Sequence, residues 1–153
     1  MKQMRRTDRE ISQQEAIEIL DAAEYGVLST VDTNGQPYGI PLSYIYKDNA
    51  IYFHCAVDGQ KLDNIRDNAK VSFCVTGRTT VLPESFGTLY ESAVVFGTAG
   101  EVFAVERHRA LVWLLEKYCA NFMEGGLQYI ELKNPVTKVI KIEINQLSGK
   151  ARR

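Results

Sequence analysis

Two side chains with distinct chemistry, His54 and Lys61, lie seven positions apart in the stretch YFHCAVDGQKLDNI, residues 52–65. The imidazole of a histidine changes protonation near neutral pH, so His54 could donate a proton or orient a substrate. A lysine in the first turn of a helix can bind a phosphate group together with the free N–H groups and the dipole of that helix. The stretch therefore offers a proton-transfer group and an anion-binding group.

The strand that carries His54 sets the direction of its side chain. Ile51, Phe53 and Cys55 alternate with Tyr52 and His54, and alternate side chains of a strand point to opposite faces. The first set is apolar and is the natural core face, so His54 is expected to face outward, toward solvent, a partner chain or a ligand. For the same reason, His54 and Cys55 cannot easily form a base and its nucleophile.

The helix expected after this strand leaves two interpretations of Lys61 open. Asp58 could cap this helix, with Gly59 and Lys61 in its first turn. That arrangement suits a phosphate site, although the negative charge of Asp58 disfavours an anion. An ordinary exposed lysine beside a helix cap fits the same residues.

Other chemistries lack their sequence signatures. The chain has no GxxxxGK[ST] or GxGxxG motif for nucleotide phosphates and no HExxH motif for zinc. The second histidine, His108, lies on a charged, solvated face of a predicted helix. Cys55, Cys74 and Cys119 show no CxxC spacing, which favours buried reduced thiols over a disulfide or metal site. We expect no metal centre.

Length and composition favour one cytoplasmic domain. The chain has 153 residues, 45% of them hydrophobic, which suits a single core spanning residues 1–153. Its formal net charge of −1 gives no basic surplus for nucleic acid. No apolar run is long enough to span a membrane, and no signal peptide is recognisable.

The elements that position these residues are mostly strands. Helical spacing predicts helices over about residues 12–26, 58–68 and 106–120, the first with a Ser12/Glu15 capping box. About six runs rich in β-branched and aromatic residues predict strands, most of them joined by hairpins such as that at Asn34-Gly35. This pattern favours an antiparallel barrel over a βαβ sheet.

Residues 41–75, PLSYIYKDNAIYFHCAVDGQKLDNIRDNAKVSFCV, resemble the core of the FMN-binding split-barrel superfamily typified by pyridoxamine 5'-phosphate oxidase. The branch related to nitroimidazole-resistance (Nim) proteins is the most similar. The resemblance extends to MRRTDREIS near the N-terminus, SAVVFGTAGEV at 92–102 and LSGK at 147–150. It implies a mainly β fold with a few helices, a six-stranded antiparallel Greek-key split barrel, and a homodimer with FMN in clefts at its interface.

The resemblance also implies site residues. The strand with Pro41, Leu42 and Ser43 would run along the flavin, contacting it through backbone groups and the Ser43 hydroxyl. His54 would lie near the isoalloxazine ring, and Ser92 would supply a polar group close to it.

The phosphate end of the implied site departs from the oxidases. Lys61 matches the lysine that binds the FMN phosphate, but Gly39 and Gln60 stand where the oxidases have arginines. The chain also ends at Arg153, without the longer segment that binds the substrate phosphate in those enzymes. We therefore expect the FMN phosphate to be bound more weakly than in the oxidases, and we expect no oxidation of pyridoxamine phosphate.

Two functions remain open at this point. The first is an FMN-dependent oxidoreductase that reduces small electrophiles such as nitro compounds, with a nicotinamide nucleotide as electron donor and His54 as the catalytic proton donor or orienting group. The second is a flavin- or haem-binding protein for storage or sensing, in which His54 is an axial ligand or an inert neighbour.

Overall fold

A computed structural model describes all 153 residues as a mainly β chain with four α-helices. The α-helices are α1 (Gln13–Ala22), α2 (Gln60–Asp67), α3 (Ala104–Tyr118) and α4 (Met123–Lys133). The strands are β1 (Glu10–Ile11), β2 (Gly26–Val31), β3 (Pro37–Leu42), β4 (Ile45–Lys47), β5 (Ala50–Cys55), β6 (Lys70–Leu82), β7 (Gly87–Val102) and β8 (Lys138–Arg152). Short 3-10 turns lie at Thr7–Arg9, Pro83–Ser85, Ala120–Phe122 and Asn134–Val136.

The strands form one antiparallel sheet in the order β3-β2-β6-β7-β8-β5-β4, with β1 paired to β8. The path does not close, because β3 and β4 lie at its two ends. The predicted fold class is confirmed, but the sheet has eight strands rather than six. The extra elements include β1 and β4, which have two and three residues and are too short to show a periodic pattern.

The first helix forms where its capping signal predicts. The Ser12 hydroxyl accepts a hydrogen bond from the Glu15 N–H at 3.2 Å, and the Glu15 carboxylate accepts one from the Ser12 N–H at 3.0 Å. The helix ends at Ala22, so Gly26 does not stop it. Gly26 instead opens β2, where any Cβ atom would overlap the ring of Phe73.

The two predicted reversals have the backbone geometry that their residues favour. Gly35 adopts a φ of +80°, and the Asp32 carboxylate accepts hydrogen bonds from the two N–H groups of Asn34 and Gln36. Asp48 and Asn49 both adopt positive φ between β4 and β5. Both turns use residues that tolerate left-handed backbone, so the β2–β3 and β4–β5 pairings follow from local sequence.

Two hydrophobic cores lie on either side of β5. The barrel interior holds Ile51 and Phe53 together with residues of β2, β6, β7 and β8. The second core lies under α3 and α4 and holds Tyr52, whose ring packs edge-on against Trp113 with centroids 5.7 Å apart. No helix in the structure is long and apolar enough to cross a membrane.

Candidate functional site

His54 faces outward near the end of β5, as the alternation predicts, and its side chain is exposed. It lines a pocket of about 360 Å³ between the end of β5 and the helices α3 and α4. The pocket wall is largely apolar, with Leu111, Leu114 and Leu115 from α3 and Ile130 from α4. A histidine next to an apolar cavity of this size is a reasonable place for a small organic ligand.

The surroundings of His54 favour its neutral form. Desolvation by the neighbouring atoms lowers the pKa of the imidazole below its ordinary value of 6.5, and no hydrogen bond or nearby charge contributes to this shift. Although His54 remains accessible to solvent, the neutral form of its imidazole predominates at neutral pH. Its two nitrogens, one a donor and one an acceptor, are available to a ligand.

Ser43 lines the same pocket, so the structure brings together two of the residues predicted from the sequence. Ser43 lies between β3 and β4, next to the fully buried Tyr44. The Tyr44 N–H donates to the hydroxyl oxygen of Tyr118 at 3.0 Å, and that hydroxyl donates to the Glu24 carbonyl at 2.6 Å. These bonds fix the β3–β4 connection to the end of α3 and hold Ser43 at the pocket.

Lys61 lies near the opposite face of the end of β5 and does not line the His54 pocket. Lys61 follows Cys55 by six residues and lies at the start of α2. Burial raises the pKa of the Cys55 thiol, and the positive charge of Lys61 partly offsets this increase. Since Cys55 and His54 are adjacent on the strand, Lys61 is near the site but on its other side. A single ligand contacting both must be long enough to pass the end of β5.

The predicted cap of α2 is wrong. The helix begins at Gln60, and its cap is Gly59, which makes no side-chain hydrogen bond and has a φ of +137°. Asp58 is exposed and does not cap. The first intrahelical donors are the N–H groups of Leu62 and Asp63, both bonded to the Gly59 carbonyl. The earlier N–H groups, including that of Lys61, are thus free of a carboxylate cap and can bind an anion.

Pro41, Leu42 and Ser92 lie away from the His54 pocket. Leu42 packs against the barrel core, whereas Pro41 is exposed on the outward face of the sheet. Cross-strand pairing joins Pro41 to Val27, Val27 to Cys74 and Cys74 to Val94 in one row. Ser92 is half-buried and lies two residues from Val94 on the same face.

The helices that complete the pocket were not recognised as part of a site from the sequence. The sequence predicted a helix at α3 but gave it no part in the site, and α4 was not predicted at all. The pair Gly125-Gly126 resembles a loop, yet Gly126 is where α4 meets α3: a Cβ atom there would lie 2.7 Å from Leu115. The apolar spacing of Leu127 and Ile130 is the signal that could have revealed α4.

Solved structures with this fold come from several bacteria. A conserved hypothetical protein from Mycobacterium tuberculosis aligns with a TM-score of 0.81 at 21% identity, covering 97% of this chain and 90% of that chain. A candidate 5-nitroimidazole antibiotic resistance protein from Bacteroides thetaiotaomicron aligns with a TM-score of 0.74 at 21% identity, covering 93% and 86%. An FAD-binding protein from Mesorhizobium loti aligns with a TM-score of 0.68 at 27% identity, covering 95% and 98%.

These alignments confirm the split-barrel fold and include a Nim-like neighbour, as the resemblance implied. No curated protein sequence matches the chain. The family model described as pyridoxamine 5'-phosphate oxidase matches residues 12–151, which is nearly the whole chain. The chain therefore belongs to the pyridoxamine 5'-phosphate oxidase family.

Proposed function

We propose that the chain is an FMN-binding flavoprotein that reduces small electrophiles such as nitro compounds, using a nicotinamide nucleotide as electron donor. The observation that carries this proposal is that Ser43 and a neutral His54 face one apolar pocket between the end of β5 and the helices α3 and α4. Family membership supports it, as does the likeness to an FAD-binding protein and to a candidate nitroimidazole resistance protein.

The ring end of the flavin fits the edge formed by β3. This strand is the last of its sheet, so one of its edges has backbone groups with no partner strand. Backbone N–H and C=O groups of Leu42 and the hydroxyl of Ser43 can hydrogen-bond a heterocycle laid along that edge. When bound, the flavin supplies the redox chemistry, while the protein provides position and electrostatics.

The phosphate end fits the start of α2. The free N–H groups of Gln60 and Lys61, the helix dipole and the Lys61 ammonium all favour a dianion at this position. Because Gln60, and not an arginine, stands beside Lys61, this phosphate site has one cationic side chain rather than two. We expect FMN to bind less tightly than it would with the second cation present.

His54 acts on the substrate in this proposal. A nitro or carbonyl oxygen in the pocket would accept a hydrogen bond from the neutral imidazole, and that bond strengthens as the oxygen gains negative charge. The neutral imidazole would keep its proton, so its role would be to orient that oxygen and stabilise its charge. Water that reaches the exposed His54 would supply the proton.

We also propose a homodimer in the cytoplasm. The outward face of the sheet exposes Val27 at 37% and Phe96 at 41%, beside the half-buried Cys74 and Val94. A second copy packed on this face would bury the apolar patch and bring Pro41 and Ser92 to the interface. The three free cysteines suit a reducing compartment.

Two measurements test the proposal. Purified protein titrated with FMN should bind it and reduce a panel of nitroaromatic compounds with NADH or NADPH, and failure to bind FMN would refute the assignment. Light scattering at micromolar concentration should give the mass of a dimer. A monomer that retains FMN would contradict the shared site.

One observation favours a second candidate. An imidazole that lacks any polar partner and lines an apolar pocket also suits an axial ligand for haem. In this alternative the protein stores or senses a cofactor without turnover. The absorption spectrum of the purified protein separates the two, because haem and flavin absorb at different wavelengths.

A further inference from the structure

We infer that the pocket between the end of β5 and the α3–α4 hairpin binds uncharged aromatic molecules of about two to three rings, separately from the flavin. This inference rests on the proposed function, since it names the substrate class for the same site. It assigns substrate selection to the helices and cofactor binding to the β3 edge and the start of α2.

The size of the pocket sets the number of rings. Its volume is about 360 Å³, and a buried apolar cavity of about 150 Å³ holds one benzene molecule. A pocket more than twice that size therefore accommodates a fused bicyclic or tricyclic ring system. A single small ring would leave much of the wall without contacts, which weakens binding.

Apart from Lys133, the polar groups of the wall are few and uncharged. The Thr137 hydroxyl is already engaged, since it donates to the Lys133 carbonyl at 2.9 Å. The imidazole of His54 and the hydroxyls of Ser43 and Tyr129 remain to contact a ligand. They can satisfy one polar substituent, such as a nitro group, but they offer no charge to a carboxylate or phosphate.

Lys133 does not change this conclusion, although it lines the pocket. The residue is exposed, and its ammonium lies 5.8 Å from the centroid of the Tyr129 ring. Because the residue is exposed, its aliphatic stem can cover the pocket wall while its ammonium stays hydrated. An anion inside the pocket would be desolvated without a buried counter-charge, which disfavours it.

The helical hairpin is separate from the elements proposed to hold the flavin. The pocket side of α4 rests on α3, where Gly126 permits close approach to Leu115. Lys61, Pro41 and Ser92 contribute nothing to the pocket wall. An aromatic ligand and a flavin can thus be bound together, with Ser43 and His54 at the boundary between them.

The test uses flavin-free protein and a matched pair of ligands, 1-nitronaphthalene and 4-nitro-1-naphthoate. Binding is followed by quenching of Trp113, the only tryptophan, which packs at the second core beside the pocket. The neutral compound should bind about ten-fold more tightly than the carboxylate or better, because only the carboxylate loses its hydration without compensation. Equal affinities, or tighter binding of the carboxylate, would overturn the inference.

A variant locates the bound ligand. Ser43 is exposed, so Ser43→Phe should fold normally while its ring narrows the pocket, and it should weaken 1-nitronaphthalene binding about ten-fold or more. The matched control is Ser85→Phe, at an exposed serine in the β6–β7 turn. If Ser43→Phe binds the neutral compound as tightly as the wild type does, the ligand lies elsewhere and the inference is wrong.

Competition with FMN separates failure of this inference from failure of the proposed function. Saturating FMN should leave the dissociation constant of 1-nitronaphthalene unchanged within a factor of about two. Competitive displacement would show that the flavin itself occupies the pocket, which overturns the inference and supports flavin binding. If FMN does not bind but the neutral compound does, the flavin function is refuted and the assignment of the pocket stands.

Discussion

The two faces of β5 have different roles within a span of four residues. On the inner face, Ile51 and Phe53 are fully buried in the barrel core. On the outer face, Tyr52 is buried beneath α3, but two residues later His54 is exposed at the pocket. The cover supplied by α3 and α4 thus opens into the pocket between Tyr52 and His54. The comparison shows how one strand can hold a reactive side chain rigidly without burying it.

The largest expected effect is on the inner face. Phe53→Ala should destabilise the protein by about 3–5 kcal/mol, because it removes a fully buried ring and leaves a cavity in close-packed surroundings. Urea unfolding followed by circular dichroism measures the change. A decrease below about 1 kcal/mol would show that the barrel core can collapse around position 53. The inner face of β5 would then not be the rigidly packed face.

On the outer face, His54→Ala should change turnover and leave stability almost unaffected. Turnover per bound FMN should fall by about 10²-fold, the lower range for a lost hydrogen bond to a developing negative charge, with little change in FMN affinity. His108→Ala is the matched control, since His108 is the other histidine and is exposed on α3. If both variants keep wild-type turnover, His54 has no role in the reaction.

The pH dependence of turnover should report the protonation state of His54 on the outer face of β5. Desolvation lowers the pKa of His54, so the neutral form predominates above about pH 6.5. If that form is active, wild-type turnover should be flat above neutrality and decline at acid pH as the imidazole gains a proton. The decline should vanish in His54→Ala. A profile that rises toward acid pH would indicate instead that the imidazolium is the active form.

Beyond the end of β5, Lys61 should affect binding and not turnover. Lys61→Ala should weaken FMN binding by about 2 kcal/mol, in the range of a hydrogen bond to a charged group. Because the Lys61 ammonium partly offsets the raised pKa of Cys55, the thiol of this variant should titrate at still higher pH. Lys70→Ala, at an exposed lysine after α2, is the control. If only the thiol shifts, Lys61 lies near Cys55 but does not bind the cofactor.

Sequence reasoning succeeded where the cause of the structure is local. The Ser12/Glu15 capping box, the left-handed turn at Gly35 and the outward direction of His54 all depend on residues within a few positions. It failed at the cap of α2, where Gly59 and not Asp58 occupies the cap. That choice depends on the path of the chain from β5 into the helix, which local preference does not determine.

The candidate site was predictable in part for the same reason. Local patterns pointed to His54 and Lys61, and the family resemblance implied Ser43, but the pocket that His54 and Ser43 line was not predicted. Its walls come from α3 and α4, more than 50 residues further along the chain. Their packing over β5 depends on contacts between residues far apart in the chain, such as Tyr52 with Trp113.

The smallest expected effect concerns Tyr52, which shares the outer face of β5 with His54. Its hydroxyl donates to the Glu106 carboxylate at 2.9 Å, and Lys141 pairs with the same carboxylate at 3.0 Å. Tyr52→Phe should therefore lower the free energy of unfolding by only about 1 kcal/mol, because Glu106 is partly exposed and keeps its hydrogen bonds to Lys141 and water.

The decrease in the free energy of unfolding caused by Tyr52→Phe should itself depend on pH. Hydrogen bonds from Lys141 and Tyr52 hold the pKa of Glu106 below its ordinary value of 4.5, so the folded state favours the carboxylate. The stabilisation is fully present above that value and is lost as the pH falls through the lowered pKa. Urea unfolding at about pH 7 and pH 3 should show the difference between wild type and variant shrinking in acid, with turnover at pH 7 unchanged. A large loss of turnover in Tyr52→Phe would place Tyr52 in the site beside His54, and the two positions on the outer face would no longer be distinct.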